Sequence, residues 1–332
     1  MRILLTGGTG FIGSHTVLAV LADGHEPILL DNFTNSRPEV GARLNIIAGR
    51  SLTVIEGDVR DRELVHAVLV RERVEAVIHF AALKSVENSV ADPLSYHANN
   101  VGGLISLAQA MEAASVRTIV FSSSATVYGE PERLPIDEAH PTHAINPYGQ
   151  SKRICENILS DLALADRGWR VSILRYFNPV GAHPSGLIGE NPTGTPTNLM
   201  PLVVRVARGE MDCLRIYGDD YPTDDSTAVR DYIHVVDLAE GHVAALQALR
   251  DGEALQVYNL GTGKGTSVLE LITAFERATG IVVPYVMADR RPGDVGAMYA
   301  AVEKAERELG WRAQLSIADM CADSWRFACR VD

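Results

Sequence analysis

Seven residues near the start, Gly7-Gly8-Thr9-Gly10-Phe11-Ile12-Gly13, constrain this chain more than any other feature. They follow the short apolar run Arg2 to Thr6. They precede Ser14 to Ala22, whose apolar residues recur at helical spacing and which Gly24 can close in a left-handed conformation. Glycine at such a place lets the backbone turn tightly and approach a pyrophosphate, whose charge then meets the unpaired N–H groups of a helix amino end. Strand, turn and helix in this order predict a dinucleotide site at Gly7, Gly10 and Gly13.

Further apolar runs lie at Ile28 to Leu30, Thr53 to Ile55, Ala76 to Phe80, Thr118 to Phe121 and Val171 to Leu174, mostly far enough apart to hold a helix between them. Continuous apolar strands alternating with helices predict an α/β fold, a doubly wound Rossmann-type parallel sheet covered on both faces. With 332 residues, 46% of them hydrophobic, the chain can bury two cores. After Arg175 the character changes: Asn178 to Pro196 holds four prolines and four glycines, the composition of a long loop. We therefore expect a dinucleotide-binding domain over 1–176, with a segment of about 231–262 returning to it. A smaller mixed α/β substrate lobe is expected over 177–332, with helices near Leu199 to Arg208, Val235 to Leu249 and Val268 to Thr279.

A net charge of −12 argues against nucleic acid and anionic membranes as partners, so an anionic substrate needs local arginines. No apolar run approaches roughly 18 residues, and neither a membrane helix nor a signal peptide is expected. Cys155, Cys213, Cys321 and Cys329 lie far apart without a C-x-x-C pair and are read as reduced thiols of a cytoplasmic protein. The ten histidines include no H-E-x-x-H pattern, and no metal is expected.

The second strand ends at Asp31, near the spacing at which an acidic side chain accepts hydrogen bonds from the adenosine ribose and repels the extra phosphate of NADP; NAD is the cofactor expected. Asp58, after the third strand, reads equally as an adenine contact or a turn aspartate. Tyr148 and Lys152 open a predicted helix after Pro147 at i and i+4, so their side chains can meet. A cation about 4 Å from a phenol at an effective dielectric near 20 contributes roughly 4 kcal/mol, so Lys152, helped by the positive nicotinamide ring, can bring Tyr148 toward neutrality as a general base. Ser122, Ser123 and Ser124 follow the fifth strand at the sheet edge where ligands of such folds bind. Gly261 to Thr266 lacks the spacing of a P-loop and predicts an ordinary glycine turn.

Taken together, GGTGFIGSH from Gly7, DNFTNS from Asp31, HFAALKSV from His79, SSSATVYGE from Ser122, NPYGQSK from Asn146, RYFNPVGAHPSG from Arg175, NLMP from Asn198, VRDYIHVVDLA from Val229 and RRPGD from Arg290 resemble the extended short-chain dehydrogenase/reductase superfamily and, within it, the UDP-glucose 4-epimerase branch. The resemblance implies that Phe11, Ile12, Asp31, Asn32, Phe33, Thr34, Asn35, Ser36, Asp58, Val59, Phe80, Ala81, Ala82, Lys84, Asn99, Ser122, Tyr148, Lys152 and Phe177 serve NAD. It implies a UDP-sugar site at Lys84, Ser124, Tyr148, Asn178, Asn198, Leu199, Tyr217, Arg230, Arg291, Asp294 and Met298, with Tyr148, Lys152 and Ser124 catalytic, and a homodimer. Arginines suit a diphosphate because a guanidinium bonds it through a fork; for Arg230 a salt bridge to Asp231 or Asp237 is the competing reading. The implied activity interconverts UDP-galactose and UDP-glucose through a 4-keto sugar. Two departures stand out, Phe11 where many relatives have tyrosine and Met298 where they have tyrosine or a small residue. A bulky Met298 favours plain over N-acetylated sugars. The competing functions are a nucleotide-sugar 4,6-dehydratase or decarboxylase and a non-catalytic dinucleotide sensor. Ala125 and Thr126 stand where the dehydratases carry an acidic pair, and a sensor would be expected to lose the tyrosine and lysine.

Overall fold

The computed structural model describes residues 1–330 except 195, 197, 251 and 292. The six apolar runs form β1 (Arg2–Thr6), β2 (Glu26–Asp31), β3 (Thr53–Glu56), β4 (Ala76–His79), β5 (Thr118–Ser122) and β6 (Arg170–Tyr176). The inner strands are apolar along most of their length because helices cover both faces, whereas the edge strand β3 leaves Val54 and Glu56 exposed. Leu4, Ile28, Val77 and Ile119 enter one core while Ile3, Leu29, Ile78 and Val120 enter a second one on the opposite face, the alternation a pleated strand imposes.

The rest of the chain supplies β7 (Asn178–Val180), β8 (Leu214–Tyr217), β9 (Val229–His234), β10 (Leu255–Leu260), β11 (Gly265–Ser267), β12 (Tyr285–Ala288) and β13 (Ala297–Met298). The main sheet runs β10-β6-β5-β4-β1-β2-β3, and every pair in it is parallel. Because β1 lies between β2 and β4, the winding reverses there and a crevice opens beyond the carboxyl ends of the strands. The outermost strand, β10, arrives from beyond residue 176, and the helix Val235–Ala248 ahead of it packs on the first helix, Phe11–Ala22.

The predicted loop begins later than its composition suggests. Asn178 to Val180 form β7, parallel to β9, and Pro179 is tolerated because β7 is an edge strand that pairs with β9 alone. A third core, including Met200, Val203, Ile216, Leu271 and Phe275, holds the smaller lobe together. The predicted glycine turn lies between β10 and β11, with Gly263 at φ +75°. The buried Asp231 carboxylate fastens it, accepting from Thr262 N at 2.8 Å and Gly263 N at 3.0 Å. No described helix is long and apolar enough to cross a membrane.

Candidate active site

A continuous cavity of about 870 Å³ runs from the glycine turn, past the carboxyl ends of β4 and β5, into the smaller lobe. All the cofactor and substrate residues expected from sequence stand on its wall except Phe33 and Asp58.

At one end Gly7 adopts φ +70°, and a Cβ on Gly13 would lie 2.2 Å from the Gly7 carbonyl, so the helix can begin this close to the strand only with glycine there. Gly10 caps the helix Phe11–Ala22 without a side-chain bond, and its first turn carries no acidic residue. The amino end thus offers backbone N–H groups and positive potential to the cavity, which fits the pyrophosphate of a dinucleotide. Asp31 is buried; Oδ1 accepts from Phe33 N at 3.0 Å and Ser36 Oγ at 2.8 Å, while Oδ2 accepts from Thr9 N at 3.0 Å. One lone pair of Oδ2 remains for a ribose hydroxyl, so these residues fit the adenosine half as well.

Asp58 lies just off this wall and is held by its own turn and by Asn32. Its carboxylate is gripped by the Arg60 fork at 2.9 and 2.7 Å and accepts from Asn32 Nδ2 at 3.0 Å. The hydrogen bonds from Arg60 hold it well below the usual carboxylate range despite partial burial. It braces Asn32, which does face the cavity. Phe33, at φ +55°, stands off the wall, its N–H committed to Asp31.

The helix Pro147–Ala165 begins as the sequence predicts: Asn146 Oδ1 caps it by accepting from Gly149 N at 2.8 Å, and proline occupies its first turn. Tyr148 and Lys152 are both buried at the cavity wall. Their electrostatics, as the chain's own groups set them, are dominated by burial. Lys152 Nζ donates to the Ser122 carbonyl at 2.8 Å, and burial brings its pKa down to about 8 against the opposing pull of Cys155 and Glu156. Burial holds the Tyr148 phenol far above its ordinary range, with Tyr176 adding to the rise and a hydrogen bond with Ser124 opposing it. The chain's own groups therefore keep Tyr148 protonated. Burial dominates the phenol, and the Lys152 ammonium is turned toward the sheet.

Ser124 Oγ also accepts from Thr126 N at 3.2 Å, which fixes its position at the end of the serine run. Ser122 Oγ donates to Tyr176 Oη at 3.0 Å, and Ser123 Oγ donates to Glu156 at 2.5 Å. Only Ser124 of the three keeps its hydroxyl near Tyr148. Behind them Arg175 makes a buried fork to Glu156, at 3.0 Å and 2.7 Å, which ties β6 to the helix bearing the pair.

In the smaller lobe Arg291 Nε lies 3.0 Å from Asp294 and its guanidinium 4.7 Å from the centre of the Tyr217 ring, so three predicted substrate residues form one cluster. Arg230 pairs with neither Asp231 nor Asp237 among the described residues; Asp231 holds the glycine turn and Asp237 accepts from Gln314 and Leu315 N–H groups. Ala125, Phe177, Val295 and Met298 give the wall beside Ser124 an apolar surface. Sequence reasoning missed Tyr176, which adjoins Tyr148, and Glu190, which accepts from both Lys84 and Asn198. The only signal for Glu190 was its place in the long loop. Among the described residues no group of three or more His, Cys, Asp or Glu could hold a metal ion.

Residues 3–261 match the model of the NAD dependent epimerase/dehydratase family. The chain is 56% identical over 327 residues to a UDP-glucose 4-epimerase of Bacillus subtilis, covering 98% of this chain and 96% of that one. With the mouse UDP-glucose 4-epimerase the identity is 50%, again over 98% and 96% of the two chains. Among solved structures it resembles the UDP-glucose 4-epimerase of Bifidobacterium longum in complex with NAD+ and UDP, with a TM-score of 0.96 and 50% identity over 99% and 98% of the chains. The enzyme of Stenotrophomonas maltophila with bound NAD and formylated UDP-arabinopyranose superposes with a TM-score of 0.98 at 47% identity, over 99% and 98%.

Proposed function

Because this chain belongs to the NAD dependent epimerase/dehydratase family, we infer that it is an NAD-dependent isomerase that interconverts UDP-galactose and UDP-glucose by inverting C4 of the sugar. The observation that carries this reading is a single cavity with the glycine turn and Asp31 at one end, Arg230 and Arg291 at the other, and Tyr148 with Ser124 on the wall between. Bound NAD supplies the acceptor for the C4 hydride and, once reduced, the donor that returns it to the other face.

The chain's residues do the rest. Ser124 orients the sugar 4-hydroxyl. Tyr148 Oη, once it has lost its own proton under the added positive charge that a bound nicotinamide ring would bring, takes the 4-hydroxyl proton as C4 is oxidised and gives it back when the 4-keto sugar is reduced. Burial favours the protonated phenol, which suits Tyr148 to the second of these steps. Lys152 anchors the Tyr148 helix to the end of β5 and keeps a positive charge beside the reaction. Asn178, Asn198, Leu199, Tyr217, Arg230, Arg291 and Asp294 hold UDP. The apolar wall of Phe177, Val295 and Met298 gives the sugar few polar anchors, so the ring can turn and present its second face.

We assign residues 1–176, with about 231–262, to the dinucleotide half and the remainder to the nucleotide-sugar half. The enzyme acts as a cytoplasmic homodimer and takes no nucleic acid as a partner. Val86, Val90, Leu94 and Ile105 are exposed apolar residues on neighbouring helices and support the dimer. The test is to incubate purified protein with UDP-galactose, without added NAD, and follow the anomeric protons by NMR. UDP-glucose is expected; a 6-deoxy-4-keto product would assign the chain to the dehydratases instead, and no product would favour a sensor.

A further inference from the structure

One carboxylate oxygen serves both halves of the cavity. Glu190 Oε1 accepts from Lys84 Nζ at 2.9 Å and from Asn198 Nδ2 at 2.9 Å. Lys84 follows β4 in the main sheet, whereas Asn198 is the cap residue of the helix Leu199–Ala207 in the smaller lobe. The bridge therefore spans the two sides of the cleft, and the Glu190 side chain is only 10% exposed. The same segment touches the sheet side twice more, through Arg43 to the Leu187 carbonyl at 3.4 Å and Thr193 to the Thr34 carbonyl at 3.2 Å.

The charges on the wall are graded. Lys84 has Glu190 as a counter-ion and Arg291 has Asp294, each within 3.0 Å. Arg230 donates to the Val229 carbonyl and has no carboxylate partner among the described residues. A diphosphate entering the cavity thus meets Arg230 and Arg215, which lack carboxylate partners among the described residues, and Lys84 and Arg291, whose fields are partly cancelled. Asn198, with its amide nitrogen committed to Glu190, has its side-chain oxygen left for a ligand. Epimerisation within one visit needs UDP held at one end and the sugar left loose, and release afterwards needs a limited grip on UDP.

We propose that Glu190 is the residue that limits this grip, by neutralising Lys84 and fixing the orientation of Asn198. The inference rests on the reading that a UDP-sugar occupies the cavity. Removing the carboxylate charge while keeping an acceptor oxygen frees the ammonium for phosphate. A loop pin with no electrostatic role predicts the opposite sign, since loosening the segment weakens binding.

The experiment compares the wild-type holoenzyme with Glu190→Gln and Glu190→Ala at equal NAD content, by calorimetric titration with UDP at two salt concentrations and by steady-state kinetics with UDP-galactose. UDP is expected to bind the Gln variant about fivefold more tightly, with a steeper salt dependence, as removal of one partly screened opposing charge predicts. KM and kcat are expected to fall together as release slows, and the Ala variant to bind UDP more tightly than wild type. Unchanged or weaker UDP binding by the Gln variant would overturn the proposal. A wild-type protein that binds no UDP would overturn the substrate reading beneath it, which the same titration reports separately.

Discussion

The Lys152 ammonium lies 2.8 Å from the Ser122 carbonyl, so the cation of the Tyr-Lys pair is anchored to the sheet rather than aimed at the phenol it was expected to acidify. Its charge faces the Phe121 ring on β5, His79 on β4, and Cys155 and Glu156 on its own helix, and burial sets its proton affinity. With a pKa brought down to about 8, Lys152 loses its charge on mild alkalinisation.

A pH profile follows. If the ammonium is needed for turnover, kcat declines as pH rises through about 8, and the raised phenol provides no compensating gain there. The stability contribution has the opposite sign. Between about pH 8 and 10.5 the unfolded chain retains the lysine proton and the folded chain does not, so this group adds stability as pH rises through that window. Turnover that keeps climbing well beyond pH 8 would show that phenol ionisation governs the rate.

Tyr148→Phe removes the hydroxyl while preserving the buried ring. NAD content and UDP affinity should stay close to wild type, whereas kcat should fall by about 10²- to 10⁴-fold, the usual scale for losing a positioned proton-transfer group. Retained activity would pass the role to another group on the wall, with Tyr176 the first to examine.

Arg175 and Glu156 form a buried pair whose fork ties β6 to the Tyr148 helix. Arg175→Met leaves Glu156 with Ser123 as its remaining side-chain donor among the described residues. The expected loss of stability is about 3–5 kcal/mol, measured by urea denaturation, because an unpaired charge stays in the core. A loss below about 1 kcal/mol would mean that Glu156 takes up a proton or finds water instead.

Met298 is buried with Ala125, Phe177 and Val295 beside Ser124. The bulk it adds to the sugar wall should make UDP-N-acetylglucosamine a poorer substrate than UDP-glucose. Met298→Ala should narrow the difference in kcat/KM by about tenfold, in line with a few methylenes of pocket volume. Equal turnover of both sugars by the wild type would place the limit elsewhere.

The legible parts of this molecule were those in which local chemistry agrees with the fold. Ile3, Leu4 and Leu5 announce a strand buried on both faces, Gly7 and Gly13 announce the turn, and Pro147 announces the start of the helix that carries Tyr148. The obscure parts depend on residues distant in sequence. Glu190 reads as a loop carboxylate until folding places it against Lys84, 106 residues away. Asp58 reads as an adenine contact or a turn aspartate, and its grip by Arg60 depends on side-chain geometry that spacing does not show. The spacing of Tyr148 and Lys152 brings them to one helix face, but it does not reveal that the Ser122 carbonyl competes for the ammonium or that desolvation dominates the phenol.

The most direct test of the central claim uses UDP-galactose carrying deuterium at sugar C4, incubated with the purified protein without added NAD. If oxidation and return occur within one binding event, the UDP-glucose formed retains the deuterium at C4. Loss of the label to solvent, or inversion at C4 with hydrogen from water in its place, would contradict the account.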